Sequence, residues 1–236
     1  MNKFRLAARL LLSAAVLICC TAAMADTAAL HQVKRVYSGN LIKLQARSPG
    51  EKDVKVTYIG LNVPDKGKPF YDLCRNANKT LVENKKVSVQ TDNITQDQDG
   101  RLLAYVYAGD VFVNAELVKS GFALVDGPDG NRKYRELFLS LQQQARKDRS
   151  GLWAYEDQSD EPYYVGSKSR KVFHRPSCSH IKGLDFDDRL IFRTKGEALA
   201  GGYLQDWRCC PLFKKPEQAQ LPPDEEQPPP PAPLKK

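Results

Sequence analysis

Three short runs rich in apolar and β-branched residues, 33–36, 41–46 and 54–61, follow one another with only turn residues between them. Ser38-Gly39-Asn40 and Ser48-Pro49-Gly50 supply the breaks. Runs of this length bounded by Gly, Pro, Asn and Ser predict a three-stranded meander, which rules out an all-helical first half. From 70 to 84 the apolar residues Leu73, Ala77, Leu81 and Val82 fall at helical spacing. Residues 86–90 and 102–107 return to strand. Residues 113–120 predict a short helix closed by Gly121, and 132–149 a long amphipathic helix with Tyr134, Leu137, Phe138, Leu141 and Ala145 on one face. The expectation is an α+β fold, with five strands in an oligonucleotide-binding-type (OB-type) barrel and about three helices. Periodicity by itself also admits other α+β barrels.

The ends of the chain do not belong to that fold. Lys3, Arg5 and Arg9 precede an apolar run at 10–20, and Ala23-Met24-Ala25 has the small-x-small cleavage pattern. Residues 1–25 therefore predict a signal peptide, with export to the periplasm or the extracellular space. The run is too short for a bilayer span, and no other segment approaches that length. Without its three cations the formal charge falls from +8 to +5, which suits a polyanionic partner without requiring one. Residues 26–156 form the barrel unit, 157–162 an acidic polar linker, and 163–213 a second, small α/β unit. Residues 214–236 form a tail with eight of the fifteen prolines, a composition that cannot bury a core and stays extended.

The barrel segment carries three motifs, VYSGNLIKL (36–44), VTYIGLNVPD (56–65) and DGRLLAYVY (99–107). In order and spacing they resemble the staphylococcal-nuclease-like, or thermonuclease, family, and the resemblance covers about half of the chain. It implies a calcium-dependent phosphodiesterase site. In the family, acidic residues of the first hairpin and after the third strand hold the ion. A glutamate acts on the attacking water and two arginines flank the phosphate. Carried over residue by residue, Asn40 and Asn62 stand at the two acidic calcium positions, and Val63 replaces a threonine. Asp65 replaces the glutamate, Thr57 the first arginine, and only Arg101 matches. An amide oxygen can touch calcium but brings no charge, and low charge moves calcium affinity toward the millimolar range. Losing one stabiliser of developing charge typically costs about a hundred- to a thousandfold in rate. The expectation is a reduced site that binds nucleic acid or another polyanion with little or no cleavage. The alternatives are a weak calcium-dependent nuclease and a protein–protein adaptor of the cell envelope. Asp97 and Asp99 could in principle supply replacement carboxylates beside Asp65, but before Gly100 they read first as turn residues.

Two further groups carry chemistry. Lys34, Arg35, Lys43, Lys55, Lys66 and Lys68 lie in or beside the first three strands and the loop after them, with Tyr58, Phe70 and Tyr71 nearby. Cations interleaved with aromatics suit a single-strand groove, and equally a solvated face over core aromatics. Cys74, on the first helix, reads as a buried thiol. In the small unit, FHRPSC and the stretch ending DWRCCP resemble the zinc module of the Ada repair protein. That resemblance places His174, Cys178, Asp206 and Cys209 at the four ligand positions, with Cys210 as a substitute and His180 as a spare. All four are competent zinc ligands. In an exported chain a Cys178 disulfide with Cys209 or Cys210 is the alternative. The alkyl-transfer chemistry does not carry over, because His174 stands where that chemistry uses a thiolate.

Overall fold

The computed structural model describes residues 29–126, 130–159, 161–206 and 212–214. Residues 1–25, expected to be a signal segment, Cys209, Cys210 and nearly all of the tail lie outside the described residues. Strands β1 (His31–Ser38), β2 (Leu41–Leu44) and β3 (Val54–Tyr58) form the expected antiparallel meander. After the two-residue β4 (Leu61–Asn62) and helix α1 (Tyr71–Val82) come β5 (Lys86–Gln90) and β6 (Leu102–Ala108). β5 pairs with both β1 and β6, and β6 closes the ring by lying parallel to β3. The result is a closed five-stranded barrel. β7 (Val111–Phe112) only extends its edge, and β8 (Leu124–Val125) pairs with β4. Alternate barrel residues face inward, so Val33, Val36, Ile42, Leu44, Val56, Tyr58, Ala104 and Val106 form one buried core.

Helix α2 (Val113–Lys119) ends where the sequence suggested, at Gly121 in the left-handed region (φ 75°). A side chain there would also collide with the Ser150 carbonyl, so glycine is required twice over. Helix α3 (Arg135–Lys147) buries Phe138, Leu139, Gln142 and Ala145. Leu137, expected on the buried face, is 43% exposed. The stripe is rotated because Gln142 is an inward residue, its Oε1 accepting the Val125 N–H at 2.8 Å. Hydrophobic pattern cannot register a polar side chain that is buried to satisfy a strand end.

The second unit is a four-stranded sheet in the order β11-β9-β10-β12. Its strands are β9 (Tyr164–Ser167), β10 (Val172–His174), β11 (Arg189–Phe192) and β12 (Leu204–Gln205), with helix α4 (Lys195–Ala200). Its core is continuous with the far side of α3. Ala145 and Trp153, the latter in the 3-10 turn Gly151–Tyr155, pack in one cluster with Tyr164, Phe173, Phe192, Ala198, Leu199, Tyr203 and Leu212. The acidic joint between the units is held by charge. Arg146 grips Glu156 through Nε and Nη2, and Asp157 pairs with Arg175 and Lys214. The buried Lys195 ammonium donates to the Asp157 and Ser159 carbonyls.

Candidate functional site

The turn carrying Asn40 is positioned from below by α1. Asn78, fully buried, donates from Nδ2 to the Ser38 carbonyl at 2.9 Å and accepts the Tyr58 hydroxyl at 3.0 Å. Gly39 is pressed between the Cys74 and Val63 side chains, each 3.0 Å from where its Cβ would stand. A larger residue would have to push one of these neighbours back. Asn40 then faces β4. Its Nδ2 donates to the Leu61 carbonyl at 2.9 Å, and its Oδ1 accepts the Ser38 hydroxyl at 2.9 Å. Both ends of the amide therefore have protein partners, and the donated bond is one that a carboxylate could not make.

Across the barrel mouth, Arg101 opens toward the loop before it. Its Nε donates to Asp97 Oδ2 at 2.6 Å and its Nη2 pairs with Asp99 at 2.8 Å. Thr57, at the position of the missing arginine, donates its hydroxyl to the same Asp97 oxygen at 3.0 Å. Burial of Asp97 opposes its ionisation. The Arg101 backbone N–H, the Arg101 guanidinium and the Thr57 hydroxyl outweigh that and hold its carboxyl below the usual range. Asp97 is thus the hub of the cluster. The sequence reading had placed it as a turn residue, which it also is, since its Oδ1 accepts the Asp99 and Arg101 backbone N–H groups. The available signal was the spacing of four between Asp97 and Arg101.

Asn62 ends β4, and Asp65 lies on the loop after it. With Val63, Pro64, Lys68, Pro69 and Phe70 they line one wall of a cavity of about 320 Å³, and Leu204, Gln205, Leu212 and Phe213 of the second unit help line the rest. The small unit thus reaches the loop that carries two of the family positions, a placement that nothing in the sequence announced.

The aromatics divide differently from the sequence expectation. Tyr58 is core, at 1% exposure. Phe70 packs on Tyr155 and Phe213, and the Tyr71 hydroxyl donates to the Tyr37 carbonyl. The aromatic that meets cations is Tyr37, with the Arg35 guanidinium 5.2 Å and the Lys55 ammonium 5.8 Å from its ring centre. Arg35, Lys43 and Lys55 are register partners across β1, β2 and β3 and make one basic row. Asp53 takes up part of it through Lys34 and Lys43, and those two ammonium groups in turn hold its carboxyl well below the usual range. Cys74 is buried, and burial pushes its thiol up to about 12.

The model of a family described as staphylococcal nuclease homologue matches residues 47–155. Over 129 residues, 52% of this chain and 75% of the relative's length, the chain is 32% identical to a thermonuclease of Staphylococcus intermedius. The chain belongs to the staphylococcal nuclease homologue family. A thermonuclease of Staphylococcus hyicus is 29% identical over 130 residues, 52% of this chain and 75% of its own length. The endonuclease YncB of Bacillus subtilis (strain 168) is 32% identical over 128 residues, 51% of this chain and 59% of its own length. In this nuclease-family barrel Thr57 and Arg101 both bond the Asp97 carboxylate. Among the described residues no helix is long and apolar enough to cross a membrane.

Proposed function

We propose that the barrel is a reduced nuclease site that holds nucleic acid, or a similar polyanion, with little or no cleavage, in an exported protein. The observation that carries this reading is internal neutralisation. Arg101, the one unchanged family position, already has two carboxylates on its guanidinium, while the Asn40 amide is engaged by Leu61 and Ser38. A phosphate meets Arg101 as a guanidinium whose charge is already opposed by two carboxylates, and a cation at Asn40 meets an uncharged oxygen already accepting one hydrogen bond. Calcium would find amide oxygens from Asn40 and Asn62 and one exposed carboxylate, Asp65, a poorly charged set for a hard cation. The row of Arg35, Lys43 and Lys55 with Tyr37 offers cations and a ring face to a single strand on the outer face of β1–β3.

A weak calcium-dependent nuclease is the second reading, favoured by the thermonuclease relatives and by the retained Arg101 and Asp65. The discriminating experiment incubates the chain with single-stranded DNA and excess calcium, beside an Arg101→Ala control. The expected result is salt-sensitive binding, log affinity falling linearly with log salt, and no cleavage. Cleavage that disappears in the control overturns this reading in favour of the enzyme. No binding at any salt overturns it in favour of an envelope adaptor.

A further inference from the structure

Three metal-ligating side chains converge in the small unit, apart from the barrel mouth, with a carboxylate beside one of them. His174 ends β10, Cys178 caps the 3-10 turn Ser179–Gly183 that contains His180, and Asp206 directly follows β12. The Cys178 Sγ lies 3.5 Å from His174 Nδ1 and 3.5 Å from His180 Nδ1, and one donor atom from each of the three falls within 4.8 Å of the others. Asp206 Oδ2 is 3.7 Å from the same His174 nitrogen. In a tetrahedral site with metal–sulfur bonds of about 2.3 Å and metal–nitrogen bonds of about 2.05 Å, sulfur and nitrogen stand about 3.5 Å apart, and nitrogen and oxygen about 3.4 Å. The two sulfur–nitrogen separations have the size of edges of that tetrahedron.

Charge and burial point the same way. His174, Cys178 and Asp206 are 1%, 8% and 4% exposed. Two imidazole nitrogens drawn to one sulfur, with a carboxylate beside them, form a donor set that a single cation can satisfy together. One divalent ion with a thiolate and a carboxylate makes a neutral centre, which removes the cost of burying those groups as separate charges. Sulfur with two imidazoles selects a zinc-like ion over calcium or magnesium. Cys178 is a free thiol, so its sulfur is available to a metal.

We propose that His174, Cys178 and His180 hold one zinc-type divalent cation, with the buried Asp206 carboxylate set beside the His174 ring rather than within the ligand group. This set takes in His180, which the sequence held only as a spare. The ion ties the end of β10 to the turn after it, and the Asp206 carboxylate beside His174 brings in the end of β12. Those three segments belong to a unit too small to rest on its core alone. Because Leu204 and Gln205 of β12 line the cavity facing Asn62 and Asp65, the ion also braces that wall.

The test is a cobalt titration of the metal-free full chain, followed by zinc displacement. The expected result is one cobalt per chain, with a sulfur-to-metal charge-transfer band and the intense visible bands of tetrahedral cobalt. Cys178→Ser should abolish the charge-transfer band. His180→Ala, at an exposed position where the fold should persist by circular dichroism, should weaken cobalt binding at least about tenfold. Cys74→Ser should leave the spectrum unchanged. Absence of the tetrahedral bands, or bands that survive Cys178→Ser, would mean a hydrogen-bonded cluster only and overturn the proposal. Cobalt binding that His180→Ala leaves unchanged overturns the ligand set.

Discussion

Asn40 shows how one atom changes what a position can do. An aspartate there would set a carboxylate oxygen against the Leu61 carbonyl, where Asn40 now donates at 2.9 Å. Without a cation between them the two oxygens repel, and the carbonyl loses its donor. Asn40→Asp is expected to destabilise the protein by about 1–3 kcal/mol in chelator. Calcium should recover part of the loss, since it replaces the missing donor with a charge. Urea denaturation with and without calcium measures both effects, and equal midpoints for variant and wild type would refute the account. Thr57 is a similar case. It sits where an arginine would be expected from the resemblance, and its hydroxyl serves Asp97 instead. That pairing was not legible in the sequence, because Thr57 and Asp97 are forty residues apart and meet only when β6 docks in parallel on β3.

Elements hold the site more than the site residues hold each other. Helix α1 supplies Asn78, whose amide joins the Ser38 carbonyl of the first hairpin to the Tyr58 hydroxyl at the end of β3. Asn78→Ala leaves a carbonyl and a hydroxyl buried and unpaired, which should cost about 2–4 kcal/mol. It should also speed hydrogen exchange at the Asn40 amide, whose N–H is bonded to the Ser38 hydroxyl in that same turn. Exchange unchanged there, despite lower global stability, would show that α1 does not position the turn. That α1 is a helix was readable from Leu73, Ala77, Leu81 and Val82, but its buried face was not, since Leu73 is 40% exposed and Cys74, Asn78 and Val82 are the residues buried. Asn78, the functional member of the helix, was not readable, because an asparagine between apolar residues carries no periodic signal. In α3, Gln142 likewise turned the buried stripe away from Leu137.

At the scale of the molecule, the two units share a core through α3 and Trp153 and are clamped at residues 156–159. Burial opposes ionisation of Asp157. The Ser159 N–H and hydroxyl, the Lys214 ammonium and the Arg175 guanidinium outweigh it and hold its carboxyl well below the usual range. A carboxylate depressed in the folded state stabilises above its unfolded value, near pH 4, and that contribution is lost as pH falls below it. The wild type should therefore lose thermal stability steeply below about pH 4, and Asp157→Asn should be less stable at pH 7 with a flatter acid limb. Melting temperatures from pH 2 to 7 measure this, and parallel curves would remove Asp157 from the clamp. The clamp lies in the stretch that composition marks as a linker. Acidic polar residues read as solvated until their cationic partners are known, and those partners come from as far away as Lys195 and Lys214.

The sequence by itself determined the barrel. Strand lengths, turn residues and amphipathic spacing are local properties, and the three motifs fixed their order well enough to imply the nuclease family that the relatives confirm. It also determined that two acidic positions hold amides. Only the tertiary structure decided what those amides and the remaining arginine do. Partner choice is a matter of separation in space, and Asn40 with Leu61, Thr57 with Asp97, and His174 with Asp206 become pairs only when distant segments are packed together. The same holds for the cavity wall that β12 turns toward Asn62 and Asp65, since docking of one unit on another depends on the complementarity of two finished surfaces.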